Sequence, residues 1–265
     1  MDEIALDTLT CRIDDGLAVV TLTEDKRGNP IDGPFCRDMN AISVAFATRS
    51  DVRAVLIRAE GRLFSVGGDI RSFVTDREGL PAKVIGWTSD LHMAIGRMQR
   101  MNAPVICEVH GDVAGGAVSL VAMADVVFAA ETVKFNAAFS MIGFCADSGS
   151  TVSLSNRMGL SRAKRFLLLS ESLDAAQAEA AGLVDFVTPA EALSAASEKL
   201  ARKLAAGPTL AYGEIKRTMM SARTEAFETQ LENEAQALAK LAATDDAWEG
   251  LTSFAERRKP VFRGR

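Results

Sequence analysis

The stretch from Cys107 to Asp147 constrains the fold of this chain more than any other part of it. A short apolar strand, Pro104 to Val109, leads into a glycine-rich turn, Gly111 to Gly116. An apolar helical run follows at Ala117 to Met123. Glycines between a strand and a helix let the backbone approach a ligand, and the first amides of a helix lack partners. The pattern therefore predicts an α/β arrangement with an anion-binding or oxyanion-binding backbone at the strand end.

A second glycine-rich turn has the same character. The segment Leu63 to Ile70 contains Gly67 and Gly68 and follows a β-branched strand, Val52 to Ala59. Each turn offers backbone donors, so the two can converge on a single oxygen atom. The alternative interpretation is that these glycines only allow tight turns or close helix packing.

Composition limits the classes of function. The 265 residues are 48% apolar, which predicts one large domain or one domain with a small appendage. A net charge of −5 argues against a nucleic-acid partner. The four cysteines lack metal-ligand spacing, and there are only two histidines. We find no signal peptide and no apolar run of membrane-spanning length, so we expect a cytoplasmic protein without metal or membrane partner.

Strands alternate with helices up to about residue 189, and the rest is almost wholly helical. We therefore divide the chain into an α/β core, residues 1–189, and a helical C-terminal section, residues 190–265. Asp14-Asp15-Gly16 predicts a hairpin turn between the first strands. The polar stretch Arg71 to Ala82 is interpreted as a surface loop beside the first glycine turn, and a helix is predicted from Val84 to Met101.

Several segments, taken in order and spacing, resemble one known family. They are Arg27 to Pro30, Phe64 to Ile70, His110 to Gly116, Lys164 to Leu169 with Ala181 to Val184, and Phe254 to Phe262. Together they resemble the enoyl-CoA hydratase/isomerase superfamily, also called the crotonase superfamily, over nearly the whole chain.

The resemblance implies a fold and a substrate class. It implies the crotonase (ClpP-like) fold of repeated ββα units, with C-terminal helices that assemble trimers or dimers of trimers. It also implies a CoA thioester whose carbonyl oxygen lies between the backbone amides of Gly68 and Gly116. Coenzyme A would then enter as part of the substrate, with no separate cofactor. Residues expected to line the CoA path are Lys26, Gly28, Val66, Asp69 and Ile70, with Phe254 and Lys259 reaching the nucleotide from a neighbouring part of the assembly.

The sequence departs from the family where hydratases carry two glutamates. Counting without gaps, these positions hold Ser119 and Phe139. A serine hydroxyl is no base near neutral pH, and phenylalanine has no ionisable group, so neither replaces a carboxylate. General acid–base catalysis contributes typically 10²–10⁴-fold. Ordinary hydration is therefore not expected, and both residues are retained only as lining of the substrate site.

Asp147 and His92 suggest other chemistry. Dienoyl-CoA isomerases of the family carry an aspartate at the position of Asp147 that shuttles a proton. The 4-chlorobenzoyl-CoA dehalogenases carry a nucleophilic aspartate there, with a histidine base at the position of His92 and a tryptophan at that of Phe139. The alternative is that both residues have structural roles only, Asp147 as the N-cap of a helix and His92 as a packed side chain.

Three hypotheses follow. The first, which we favour because a single carboxylate suffices, is double-bond isomerisation with Asp147 as the acid/base group. The second is aryl-CoA displacement with Asp147 as nucleophile and His92 as base. The third is an acyl-CoA-binding homologue without chemistry.

Overall fold

The computed structural model describes residues 2–265 as a mixed α/β protein. Its strands are β1 (Asp2–Ala5), β2 (Leu9–Asp14), β3 (Leu17–Leu22), β4 (Pro30–Ile31), β5 (Ala54–Ala59), β6 (Gly67–Gly68), β7 (Val105–Val109), β8 (Val113–Ala114), β9 (Val126–Ala130), β10 (Lys134–Asn136), β11 (Ser172–Asp174) and β12 (Phe186–Thr188). Its helices are α1 (Gly33–Ala47), α2 (Ile70–Phe73), α3 (Leu80–Arg100), α4 (Gly116–Met123), α5 (Ser150–Met158), α6 (Leu160–Leu168), α7 (Ala175–Ala181), α8 (Ala190–Ala205), α9 (Thr209–Ser221), α10 (Phe227–Ala242) and α11 (Asp245–Ala255).

The core is organised by a seven-stranded sheet with the order β1-β2-β3-β5-β7-β9-β12. The β1, β2 and β3 strands pair antiparallel, whereas every pair from β3 to β12 is parallel. All five residues of β7 are buried. Continuous burial is expected of a central parallel strand covered on both faces, and it explains why this strand reads as an apolar run rather than an alternating one.

Repeated ββα units build the sheet, as the sequence predicts. A long strand of the main sheet is followed by a short strand of a minor sheet and then by a helix: β3-β4-α1, β5-β6-α2, β7-β8-α4 and β9-β10-α5. The short strands pair among themselves, β4 with β6 and β8 with β10. The minor sheets therefore collect the segments that leave the carboxyl ends of the main strands.

Parallel pairing of β5 with β7 brings the two glycine turns together. Since both strands run the same way, the segments after them leave at the same edge of the sheet. The amide of Ala114 donates to the carbonyl of Ser65 at 3.1 Å. A Cβ on Gly67 would lie 2.4 Å from the carbonyl oxygen of Ala114. Only glycine permits this approach, which also needs the positive φ of 78° at Gly67.

Local sequence signals are largely confirmed. The hairpin turns at Asp15 and Gly16, with φ of 46° and 80°, as the Asp-Gly pair predicts.

The prediction of a loop throughout Arg71 to Ala82 is wrong at both ends. Helix α2 continues to Phe73, and α3 already begins at Leu80, because Pro81 in its first turn needs no backbone donor there.

The C-terminal part is helical, as predicted, with α8 to α11 spanning most of residues 190–255. Helix α8 packs against β5, β7 and β9, so it covers the sheet. The division of the chain at residue 189 remains a prediction. Within residues 2–265, the helices are too short or too polar to cross a bilayer.

Substituting Gly67 by Ala tests the contact between the turns. We expect Gly67→Ala to lower the free energy of unfolding by more than 1 kcal/mol, roughly the ordinary scale of a glycine effect, because the new methyl group meets a backbone oxygen at positive φ. Gly86→Ala is the matched control, since Gly86 lies exposed in α3 with open space around it. That control should gain about 0.5–1 kcal/mol. Chemical denaturation measures both, and equal stability of the two variants would contradict the expectation.

Candidate active site

The two glycine turns border one space. Gly116 is the first residue of α4, so its amide has no acceptor within the helix. Gly68 pairs with Ile31 in the β4–β6 ladder. The side chain of Ile31 reaches the other turn, where its Cδ1 lies 3.2 Å from the position of a Cβ on Gly116. Ile31 thus contacts both predicted oxyanion residues.

A buried polar clamp holds the first turn. The hydroxyl of Ser65 donates to the carbonyl of Asn29 at 2.6 Å and accepts from the amide of Gly67 at 3.1 Å. The side-chain amide of Asn29 donates to three carbonyls just before the turn, those of Glu60, Leu63 and Phe64. Both polar side chains are buried. The clamp therefore engages the amide of Gly67, the residue directly before the predicted oxyanion residue Gly68.

The predicted CoA-binding residues collect beside this turn. Gly28 accepts from the amide of Val66 at 2.9 Å. Lys26 is exposed, as are Val66 and Ile70 at 40% and 46%. Asp69 instead pairs with Arg27 at 2.9 Å, so its carboxylate ties the first segment to the second. A basic and apolar rim remains available outside the glycine turn.

Asp147 faces Gly116. Its Oδ1 lies 3.7 Å from the position of a Cβ on Gly116, and this oxygen is buried without a hydrogen-bond partner. Burial raises the pKa of Asp147 above its ordinary value, and the nearby His92 only partly opposes this. An unpartnered, desolvated carboxylate costs folding free energy. Such a group beside a potential oxyanion site is a candidate for proton transfer.

The capping interpretation of Asp147 is wrong. Helix α5 begins at Ser150 with Gly149 in the cap position and no side-chain cap hydrogen bond. Asp147 contributes only its backbone carbonyl to this helix, by accepting from the amide of Ser150 at 2.9 Å. Its carboxylate is therefore free of a structural task at the helix end.

The imidazole of His92 lies at the same segment. Its Nε2 accepts from the amide of Ser148 at 3.2 Å. His92 is exposed on α3, which argues against a packed core histidine. The structure thus brings two of the sequence-derived candidates, Asp147 and His92, to neighbouring positions.

Ser119 and Phe139 provide no carboxylate. Both are buried. The hydroxyl of Ser119 donates to the carbonyl of Asp147 at 3.2 Å. Ser119 therefore holds the Asp147 segment.

Sequence reasoning missed the aromatic residues of the site. The ring of Phe73 lies next to Gly68, where a Cβ would be 3.1 Å from its Cε2. Phe73 contacts Trp87 and Phe144, with ring centroids 5.6 and 5.7 Å apart. Phe73 fell within the segment interpreted as a surface loop. A helix-compatible apolar residue four positions after Asp69 was the available signal.

The two C-terminal residues expected to reach the nucleotide make no direct contact with the residues described above. Phe254 on α11 is 87% exposed, and Lys259 is exposed in the tail. Their role toward the nucleotide stays a prediction. Among residues 2–265, no three His, Cys, Asp or Glu side chains form a group that could hold a metal ion.

Comparisons with known proteins define the class. The sequence model of the enoyl-CoA hydratase/isomerase family matches residues 12–265. The chain is 30% identical to 1,2-epoxyphenylacetyl-CoA isomerase of Escherichia coli, covering 98% of this chain and 100% of that protein. It is 28% identical to trans-2-decenoyl-[acyl-carrier-protein] isomerase of Streptococcus mutans, covering 96% and 97%. A crystal structure of a candidate enoyl-CoA hydratase/isomerase from Mycobacterium abscessus superposes with a TM-score of 0.91 at 29% identity, covering 97% and 100%.

The fold and these matches define the class of this protein, which is an α/β protein built from ββα units with two glycine turns in contact. The chain belongs to the enoyl-CoA hydratase/isomerase family and is an enzyme of that family. The expected crotonase fold is thereby confirmed.

The raised pKa of Asp147 has a consequence for stability. When a carboxyl has a higher pKa in the folded chain than in the unfolded chain, the folded state binds more protons between the two values. Its contribution to stability then falls as the pH rises through that window. We expect Asp147→Asn to raise the melting temperature at pH 7, with a gain that shrinks as the pH falls toward about 3.9.

Thermal unfolding followed by circular dichroism across this pH range measures the effect. Glu131→Gln is the matched control, because Glu131 is exposed on a turn and should show no comparable gain. A loss of stability in Asp147→Asn at pH 7 would show that the carboxylate is satisfied by contacts not identified in this site.

Proposed function

We propose that this enzyme moves a double bond within the acyl group of a CoA thioester, with Asp147 as the single acid/base residue. The observation that carries the proposal is the Oδ1 oxygen of Asp147, which is buried without a hydrogen-bond partner and lies toward Gly116. The residues at the two hydratase positions, Ser119 and Phe139, cannot ionise near neutral pH. One carboxylate is enough for isomerisation, because the proton taken from one carbon is returned to another.

The reaction proceeds in two proton transfers. In a 3-enoyl thioester, the carboxylate of Asp147 removes a proton from C2, the carbon between the thioester carbonyl and the C3=C4 double bond. The C–H electrons form a C1=C2 double bond, and the carbonyl π electrons move onto the thioester oxygen. The protonated carboxyl then delivers that proton to the other end of the conjugated system, and the charge returns from oxygen. Atoms and electrons balance without any co-reactant.

The amides of Gly68 and Gly116 stabilise the charged oxygen in this proposal. The direct contact between the glycine turns supports it, since a Cβ on Gly67 would be 3.3 Å from the Cα of Gly115. Losing one donor of such a hole typically costs about 2.7–4 kcal/mol of transition-state stabilisation. The Ser65 hydroxyl holds the amide of Gly67, directly before the proposed donor Gly68, which supports a turn formed before substrate binds.

The raised pKa of Asp147 suits both steps. A carboxylate whose pKa is raised toward neutral pH is a stronger base than an ordinary aspartate, so it accepts a carbon-bound proton more readily, and its protonated form can still release that proton. His92 is proposed as a positioning residue, because its Nε2 is occupied by the amide of Ser148. Relatives of similar identity are named both as isomerases and as a hydratase, so the choice of isomerisation rests on Asp147, Ser119 and Phe139.

A second candidate function is displacement on an aromatic acyl-CoA. The observation that favours it is the closeness of His92 to the Asp147 segment, since that reaction uses an aspartate nucleophile and a histidine base. The Nε2 of His92 would first have to release the Ser148 amide before it could activate water. Release of chloride from 4-chlorobenzoyl-CoA would establish this second reaction, and its absence would remove it.

Substitution of the acid/base residue tests the main proposal. We expect Asp147→Asn to lower kcat for isomerisation of a 3-enoyl-CoA by roughly 10²–10⁴-fold, because asparagine cannot take up the proton. The affinity for a saturated acyl-CoA should be unchanged. The wild-type kcat/KM should fall as the pH drops through the raised pKa of Asp147, since the base must be ionised. Absorbance at the conjugated enoyl thioester band and deuterium wash-in measure the reaction.

Glu131→Gln serves as the control carboxylate, because Glu131 is exposed. Undiminished isomerisation by Asp147→Asn would overturn the assignment of the base. Binding of acyl-CoA by the wild type with neither isomerisation nor deuterium exchange would instead favour the non-catalytic alternative.

The assembly and location are part of the proposal. Large apolar side chains on α9, α10 and α11 are 50–87% exposed, namely Ile215, Met219, Phe227, Leu231, Leu238, Trp248, Leu251 and Phe254. Such a surface suits contact between copies, and we propose a homotrimer or a dimer of trimers. In it, Lys26 and Lys259 would meet the CoA phosphates. The four free cysteines favour a reducing, cytoplasmic location.

Charge placed on this surface should dissociate the assembly. We expect the wild type to sediment at three or six times its 28.3 kDa chain mass, and the pair Leu238→Glu and Leu251→Glu to sediment as a monomer. Val44→Glu introduces the same charge at a 47% exposed position of α1 and serves as the control. Analytical ultracentrifugation measures all three, and a monomeric wild type would contradict the proposed assembly.

A further inference from the structure

Three aromatic side chains from separate segments meet beside the proposed reaction centre. They are Phe73 of α2, Trp87 of α3 and Phe144, which precedes Asp147 by three residues. Phe73 lies in the middle, and its ring planes meet those of the other two at 33°. We call this set the aromatic cluster.

The aromatic cluster is continuous with the site at both ends. At one end the ring of Phe73 lies against Gly68, with 3.1 and 3.2 Å from its Cε2 and Cζ to the position of a Cβ. At the other end Phe144 belongs to the segment that carries Asp147. An acyl group held at Gly68 and Gly116 and reaching past Asp147 therefore meets these rings next.

The three rings are not fully buried in the hydrophobic core. Phe144 is 39% exposed, and Phe73 and Trp87 are half-buried, so each retains accessible ring surface. Lys83 lies 5.9 Å from the centre of the Trp87 ring and lends that side of the cluster a positive charge. Apolar surface left open beside a reaction centre is better explained by a ligand than by folding.

We propose that the acyl site takes an acyl group bearing a flat ring, which stacks on the aromatic cluster beyond the reacting carbons. This inference rests on the proposed function, because it places the thioester at Gly68 and Gly116. Aromatic pairs prefer offset or tilted contacts and contribute about 0.5–1.5 kcal/mol beyond the area they bury. A ring also has fewer torsions to immobilise than a straight chain.

Apolar area alone favours the opposite choice. A straight acyl chain buries more CH₂ surface than a ring-bearing group with the same number of carbons, and buried apolar area stabilises in proportion. A site without ring-specific contacts should therefore bind the chain more tightly. Preference for the ring is thus a signature of the aromatic cluster itself.

Binding of two saturated thioesters provides the test. We expect isothermal titration calorimetry to show that the wild type binds 3-phenylpropanoyl-CoA more tightly than nonanoyl-CoA, with the ring contacts contributing roughly 2- to 13-fold to the ratio of their Kd values. Phe144→Leu and Phe73→Leu should bring this ratio to one or below, while the Kd of CoA itself stays unchanged. Phe186→Leu is the matched control, because Phe186 is an exposed phenylalanine that stacks on Phe128 at the sheet edge, and it should keep the wild-type ratio.

Several outcomes overturn the inference. Equal or tighter binding of nonanoyl-CoA by the wild type would do so, as would an unchanged ratio in both Phe144→Leu and Phe73→Leu. Both thioesters binding no better than CoA would show that the acyl group does not reach the rings. Neither saturated thioester reports on proton transfer, so loss of ring preference leaves the assignment of Asp147 intact. Failure of the wild type to bind any CoA thioester would instead overturn the proposed function itself.

Discussion

The contact between the two glycine turns is the constraint on which the rest of the site depends. It follows from a sheet in which β5 and β7 are parallel neighbours, with Ile57 opposite Cys107. The segments after these strands must leave at the same edge, and Gly67 then passes within reach of the Ala114 carbonyl. A side chain on Gly67 would push the turns apart. The glycine turns that carry the donors proposed for the thioester oxygen are thereby ordered by backbone packing. Ordering them costs no free energy of substrate binding.

The carboxylate of Asp147 lowers the stability of the folded chain. Burial raises its pKa, and its Oδ1 lacks a partner, so its ionisation opposes folding at neutral pH. The same desolvation makes the group a better proton acceptor, which links the stability penalty to the proposed chemistry. The hydroxyl of Ser119 binds the backbone of this segment and leaves the carboxylate alone. A serine at this position therefore supports the segment that carries the proposed acid/base group.

Signals within a few residues made the main elements predictable. The Asp15-Gly16 turn, the apolar strand before Gly111 and the helical run from Ala117 all follow from local chemistry, and the family resemblance supplied the expected fold and the order of the segments. Contacts between distant segments were out of reach. Nothing near Phe73 in the sequence indicates Trp87 or Phe144 as a neighbour. The cap interpretation of Asp147 failed because Gly149, at φ of 76°, occupies the cap position and turns the aspartate away from the helix.

The position of Asp147 is determined by several elements outside its own segment. Ser119 of α4 binds its carbonyl, His92 of α3 accepts from the following amide, and the ring of Phe144 packs on Phe73 of α2. Helices α2 and α3 lie in the connection between β5 and β7, whereas α4 follows β7 and β8. In the proposed reaction, the sheet sets where the thioester oxygen is held, whereas the segment from Gly143 to Gly149 sets which carbon a proton can reach. Under this proposal the acid/base group can change together with that segment and its three anchors, while the paired glycine turns stay as they are.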